Sequence, residues 1–122
     1  MSTPAITAPT GVRRTPRFRV NFPIKLFATV QQRRCAIQGR SHDLSMLGMA
    51  IYIPAELESG QTVQIEFVIP NTNQRLGVNA IVRNSQGFRC GVEFQNLTPL
   101  DEAGLTKLCA KLEAEAASNP PA

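Results

Sequence analysis

The stretch Phe18-Arg19-Val20-Asn21-Phe22-Pro23-Ile24-Lys25-Leu26-Phe27-Ala28-Thr29-Val30 places an apolar side chain on every second position. That period is the mark of a strand with one face in a core and one in solvent. Pro23 has no N–H to give a neighbouring strand, so the stretch is expected to be an edge or bulged strand. The same alternation returns at Cys35 and Ile37, at Met49, Ile51 and Ile53, and at Val63, Ile65, Phe67 and Ile69. It returns again at Val78, Ala80 and Val82, and at Phe88, Cys90, Val92 and Phe94, giving six strand candidates. Turn clusters separate several of them: Glu58-Ser59-Gly60, Pro70-Asn71-Thr72-Asn73, and Asn84-Ser85-Gln86-Gly87 as a hairpin connection. Short, evenly spaced strands predict a mainly β fold, a six-stranded antiparallel β-barrel.

The pattern changes at Thr98-Pro99-Leu100-Asp101. Thr98 suits a helix cap, Pro99 the first helical position, and Asp101 completes a capping-box-like pair. Leu105, Leu108, Cys109 and Leu112 follow at helical spacing. A C-terminal α-helix over about 98–116 is therefore expected to lay its apolar face on one open end of the barrel. The Pro-, Thr- and Ala-rich residues 1–11 read as a flexible N-terminal arm and 117–122 as a flexible tail, with one domain over 12–113 and its barrel over about 17–95.

The chain has 122 residues, 43% apolar, enough for one domain with a core of its own. Its net charge of +4 is unevenly spread: no acidic residue precedes Asp43, whereas Arg13, Arg14, Arg17, Arg19, Lys25, Arg33, Arg34 and Arg40 do. A cationic first third fits an anionic partner as well as a solvated surface. The three cysteines, Cys35, Cys90 and Cys109, are set among apolar neighbours with no metal-ligand spacing and read as buried, reduced thiols of a cytoplasmic protein. No signal peptide or membrane-length apolar run is apparent, so membrane insertion is not expected, and no metal or cofactor is called for.

Two short motifs carry the chemistry. Arg13-Arg14-Thr15-Pro16-Arg17 reads RxxxR, and Asp43-Leu44-Ser45-Met46-Leu47-Gly48 reads DxSxxG. Asp43 and Ser45 stand two apart, so on an extended segment both point the same way. Together the motifs resemble the signature of the PilZ domain family, bacterial receptors for the second messenger cyclic di-GMP. The likeness extends from Val12 to about Leu112, for the Met49–Ile53 strand follows the second motif and Cys90-Gly91-Val92-Glu93-Phe94 resembles the family's GVxF landmark. Leu47 departs from the pattern, since many members carry a second glycine there.

The resemblance implies a six-stranded barrel with a C-terminal helix and cyclic di-GMP as ligand. Arg13 and Arg17 would grip phosphates and guanines. Asp43 would accept guanine N–H groups, Ser45 would offer its hydroxyl, and Gly48 would let the backbone turn. Arg14 and His42 are secondary candidates, the latter by stacking on a base. Arg83 and Arg89 lie on late strands and are not placed by sequence. The family binds one ligand molecule or an intercalated pair, and apolar Val12 before the first arginine points to one. A receptor that changes conformation needs a downstream protein partner, in a process such as motility or biofilm formation.

Three other readings compete. A hydrolase would need His42, Asp43 and Ser45 to converge, and adjacent residues on an extended segment do not. A barrel binding single-stranded nucleic acid would need stacking platforms, but aromatics are only 6% of the chain and most phenylalanines occupy core positions. A PilZ-like interaction module without a ligand would lack one of the motifs, and both are intact here.

Overall fold

A computed structural model describes residues 15–118. The strands are β1 (Phe18–Arg19), β2 (Pro23–Val30), β3 (Arg33–Leu44), β4 (Gly48–Tyr52), β5 (Thr62–Val68), β6 (Arg75–Gln86) and β7 (Arg89–Gln95), followed by helix α1 (Pro99–Ser118). All pairings are antiparallel, in the order β1-β3-β2-β5-β6-β7-β4, and a β3–β4 pairing closes β2 to β7 into a six-stranded barrel. β1 is a seventh strand, added beside the end of β3. The expected arm 1–11, Val12, Arg13 and Arg14 and the tail from 119 lie outside the described residues.

The alternating positions fill the barrel. Ile24, Leu26 and Ala28 of β2 meet Ile51 of β4, Val63, Ile65 and Phe67 of β5, Val78 and Val82 of β6, and Val92 of β7, all buried. α1 begins as its sequence dictates: the Thr98 Oγ1 accepts from the Asp101 N–H at 3.1 Å. Asp101 and Glu102 stand in its first turn, where the helix dipole favours negative charge. Leu105, Leu108 and Cys109 are buried, and α1 touches β6 and β1. Among the described residues no helix is long and apolar enough to cross a membrane.

Three local expectations are corrected. The stretch from Phe18 to Val30 is two strands, broken at Val20–Phe22. There the Phe22 N–H turns to the buried Ser41 Oγ at 2.8 Å, and Pro23 has no N–H to continue the ladder. The second candidate, which becomes β3, is much longer than Cys35 and Ile37 imply and runs straight into Asp43. The hairpin after β6 turns at Gly87-Phe88, with Gly87 at φ 60°, so Asn84–Gln86 belong to the strand and Phe88 is 60% exposed instead of inward. The β2–β3 turn carried no Gly or Asn signal: Gln31 and Gln32 make it with φ of 52° and 66°, the positive values a two-residue hairpin of the primed type needs. This hairpin overruns its neighbours, since β5 pairs with β2 only at Lys25–Phe27 and β4 with β3 only from Arg40 onward.

All three cysteines carry free thiols; Cys90 and Cys109 are buried as expected, but Cys35, on the overhanging part of β3, is only half-buried. Cys90, on β7, is 1% exposed, and burial pushes its thiol pKa up to about 11. In the unfolded chain the thiol ionises from about pH 8.5. Between those values the unfolded state binds fewer protons, so stability falls as pH rises, by about 1 kcal/mol per pH unit from this group. Burial and Glu113 raise the Cys109 thiol in the same direction. Urea midpoints at pH 8 and pH 10 are expected to differ more for the wild type than for Cys90→Ala. An equal loss in both would remove the linkage.

Candidate binding cleft

Antiparallel pairing of β1 with β3 sets Phe18 opposite Leu44 and Arg19 opposite Asp43. The described end of the first motif therefore meets the second: Arg17, just ahead of β1, and Asp43, Ser45 and Gly48 line one cleft of about 540 Å³ on the outer wall of the barrel. That volume is in the range of small-molecule sites.

A β-bulge makes Asp43 available. Regular alternation from the buried Ser41 would send Asp43 inward and Leu44 outward. The ladder to β4 instead pairs Ser41 with Ile51 and Asp43 with Ala50, leaving His42 as an extra residue. His42 and Asp43 thus both avoid the core, while Leu44 is fully buried. The Asp43 Oδ1 accepts from the Ala50 N–H at 3.1 Å, which fixes the carboxylate and leaves acceptor capacity on its second oxygen.

The Ser45 side chain is committed locally. Its Oγ accepts from the Leu47 and Gly48 N–H groups at 3.1 and 3.3 Å and shapes the β3–β4 turn. Gly48 has no positive φ, so the expected turning role does not apply. Its reason is proximity: a Cβ there would lie 2.1 Å from the Val92 carbonyl oxygen on β7. Leu47, the departure from the motif, is 63% exposed on the cleft rim. His42 stands outside the cleft lining, its ring edge-on to Tyr52 at 5.3 Å. Arg13 and Arg14 lie outside the described residues.

The cleft crosses four strands. Asp43 pairs with Ala50, Ala50 with Gly91, and Gly91 with Asn84, a single row from β3 through β4 and β7 to β6. Gly48, Ala50 and Gly91 make a floor of small residues, and the taller side chains of Arg17 and Asp43 at one end and Arg83 and Asn84 at the other make walls. Arg89 and Glu93 complete the far half. Three guanidiniums against two carboxylates give these walls a positive balance suited to an anionic ligand. Sequence reading left Arg83 and Arg89 unplaced and did not find Glu93. The signal for Arg83 was the polar pair Arg83-Asn84 interrupting the alternation after Val82.

An outer-wall cleft on a closed antiparallel barrel, lined by small residues, arginines and a fixed carboxylate, defines a small barrel domain with the charge and hydrogen-bonding groups to suit an anionic molecule. The PilZ domain model matches residues 12–111, and the chain belongs to that family. No curated protein sequence matches it. Among solved structures it is similar to the PilZ domain of CeSA from a cellulose-synthesizing bacterium, with 23% identity, a TM-score of 0.63, and coverage of 80% of this chain and 98% of that one. It is also similar to the PilZ domain of YcgR from Escherichia coli, solved with c-di-GMP, at 24% identity, TM-score 0.66, and coverage of 87% and 95%. The Bacillus subtilis inhibitor of motility MotI/DgrA gives a TM-score of 0.71 at 14% identity, with 87% of this chain covering 53% of that one. At these identities the likeness is one of fold.

Proposed function

We propose that this chain is a cytoplasmic, non-enzymatic receptor for cyclic di-GMP that passes the signal to a protein partner. The observation that carries this reading is that Arg17, the last arginine of RxxxR, shares one cleft with Asp43, Ser45 and Gly48 of DxSxxG beside the β1–β3 pairing. The ligand has two phosphates and two guanines. Arginine forks suit the phosphate oxygens and the O6 and N7 acceptors of guanine, and a carboxylate suits the N–H groups on its other edge. Arg17, with Arg13 by motif, serves the first need and Asp43 the second. Ser45 holds the turn that presents them, and Gly48 keeps that turn against β7. Against hydrolysis stands the geometry: the Ser45 Oγ accepts from the Leu47 and Gly48 N–H groups and the His42 ring packs edge-on against Tyr52 outside the cleft lining, so the two are not arranged as a nucleophile–base pair.

Titration of cyclic di-GMP into the full chain, with cyclic di-AMP as control, tests the reading. Micromolar or tighter binding, selective for guanine, is expected. Absence of binding would turn attention to a ligand-free interaction module, and steep salt-dependent affinity for single strands to nucleic acid. The conformational step has its own readout. Saturating ligand is expected to slow proteolysis around Arg13–Arg17, and equal rates with and without it would overturn the switch.

A further inference from the structure

The described motif residues, Arg17, Asp43, Ser45 and Gly48, occupy only one end of the cleft. The other end is built by a second β-bulge: β6 pairs Val82 with Val92 and Asn84 with Gly91, leaving Arg83 as the extra residue. Arg83 and Asn84 are therefore both exposed while Val82 stays buried. Bulges of this kind re-aim side chains beside functional sites. Asn84 lies three strand spacings from Asp43 along one row, about 14 Å. Ala50 and Gly91 between them carry nothing larger than a methyl group, and the Asn84 side chain leans over Gly91, its Oδ1 2.9 Å from where a Cβ would stand, so the open floor runs from Asp43 to that amide, with Arg83 beside it.

Glu93 is out of place in a site for a phosphodiester, unless it acts on Arg83. The Arg83 Nε donates to the Glu93 Oε1 at 2.6 Å, with both side chains about half exposed. An exposed pair of this kind adds little to stability. Its geometric effect is definite, because bonding through Nε fixes the plane of the guanidinium and leaves the Nη edge for a second, bidentate acceptor. We infer that Arg83 is a ligand-contacting residue at the far end of the cleft and that Glu93 is its positioning residue, so that one anionic dinucleotide is gripped by both walls. This rests on the cyclic di-GMP reading and extends it to residues outside the motifs.

Coulomb attraction alone and positioning predict opposite signs for Glu93→Gln. Removing a negative charge beside an anionic ligand should tighten binding, whereas exchanging the carboxylate for a neutral amide, which holds the Arg83 Nε by a weaker hydrogen bond, should loosen Arg83 and weaken it. The experiment is titration of cyclic di-GMP into the wild type, Arg17→Ala, Arg83→Ala, Glu93→Gln and the Arg83→Ala/Glu93→Gln double variant, with thermal midpoints recorded for each. Arg83→Ala is expected to weaken binding about tenfold and Glu93→Gln about threefold, with no further loss from Glu93→Gln once Arg83 is gone. Midpoints should stay near that of the wild type, since both side chains lie at the surface. If Arg17→Ala loses binding while Arg83→Ala matches the wild type, the far-wall assignment falls and the receptor reading stands. Tighter binding by Glu93→Gln overturns the positioning role. A wild type that binds nothing overturns both.

Discussion

Gly48→Ala is expected to lower the stability of the domain by about 3 kcal/mol, at the upper end of the usual range for overpacking, and its thermal midpoint by roughly 10 °C or more. The added methyl would sit 2.1 Å from the Val92 carbonyl oxygen and 3.2 Å from the Glu93 Cα, atoms of backbone that cannot rotate aside. Relief requires β4 and β7 to part where Gly48 pairs with Glu93. The same change would disturb the Ser45 turn and the cleft floor, so ligand affinity should fall with stability. Gly77→Ala is the matched control, since its nearest contact would be an ordinary 3.7 Å to the Glu66 Cγ. Midpoints that agree within a degree or two between the variants would show that the crowding at Gly48 is relieved cheaply.

Arg17→Ala is expected to cost at least tenfold in cyclic di-GMP affinity, and Arg13→Ala as much, from the loss of charge-assisted contacts worth about 1.5–3 kcal/mol each. Arg17 is exposed, so truncating it should leave the fold untouched. It stands beside the β1–β3 pairing that brings Asp43 to the same cleft, which is why its effect should appear in affinity and not in the melting midpoint. The affinity loss should shrink as ionic strength rises, because part of the contact is long-range attraction. Full affinity in Arg17→Ala would place the ligand elsewhere.

The fold was largely readable because a barrel with one solvated face writes its period into the chain. Ile24, Leu26 and Ala28, or Val63, Ile65 and Phe67, are buried where alternation put them. Reading failed where tertiary geometry overrides the period. β3 looked short because the hairpin it shares with β2 overruns the core, so Cys35 and Ile37 are only half-buried and the pattern fades. Both bulges were hidden, since an extra residue looks like noise in an alternation until the opposing strand is known. The Gln31-Gln32 turn holds positive φ without the residues that ordinarily announce it. Of the site, the motif end was visible as a spacing. The far wall was not, because Arg83, Arg89 and Glu93 come together only through the β6–β7 register.

The overhanging β2–β3 hairpin also bears on how copies of the chain behave when crowded. From Arg33 to Gln38 one side of β3 has no neighbouring strand among the described residues, leaving main-chain donors and acceptors open for edge-to-edge association. Arg33 and Arg34 stand on that margin, both exposed. Two copies approaching through it would force four guanidiniums together with little apolar area gained in return. Arginines on such a margin oppose edge-to-edge pairing, so Arg33 and Arg34 stand as a charged guard where, among the described residues, barrel closure leaves β3 uncovered.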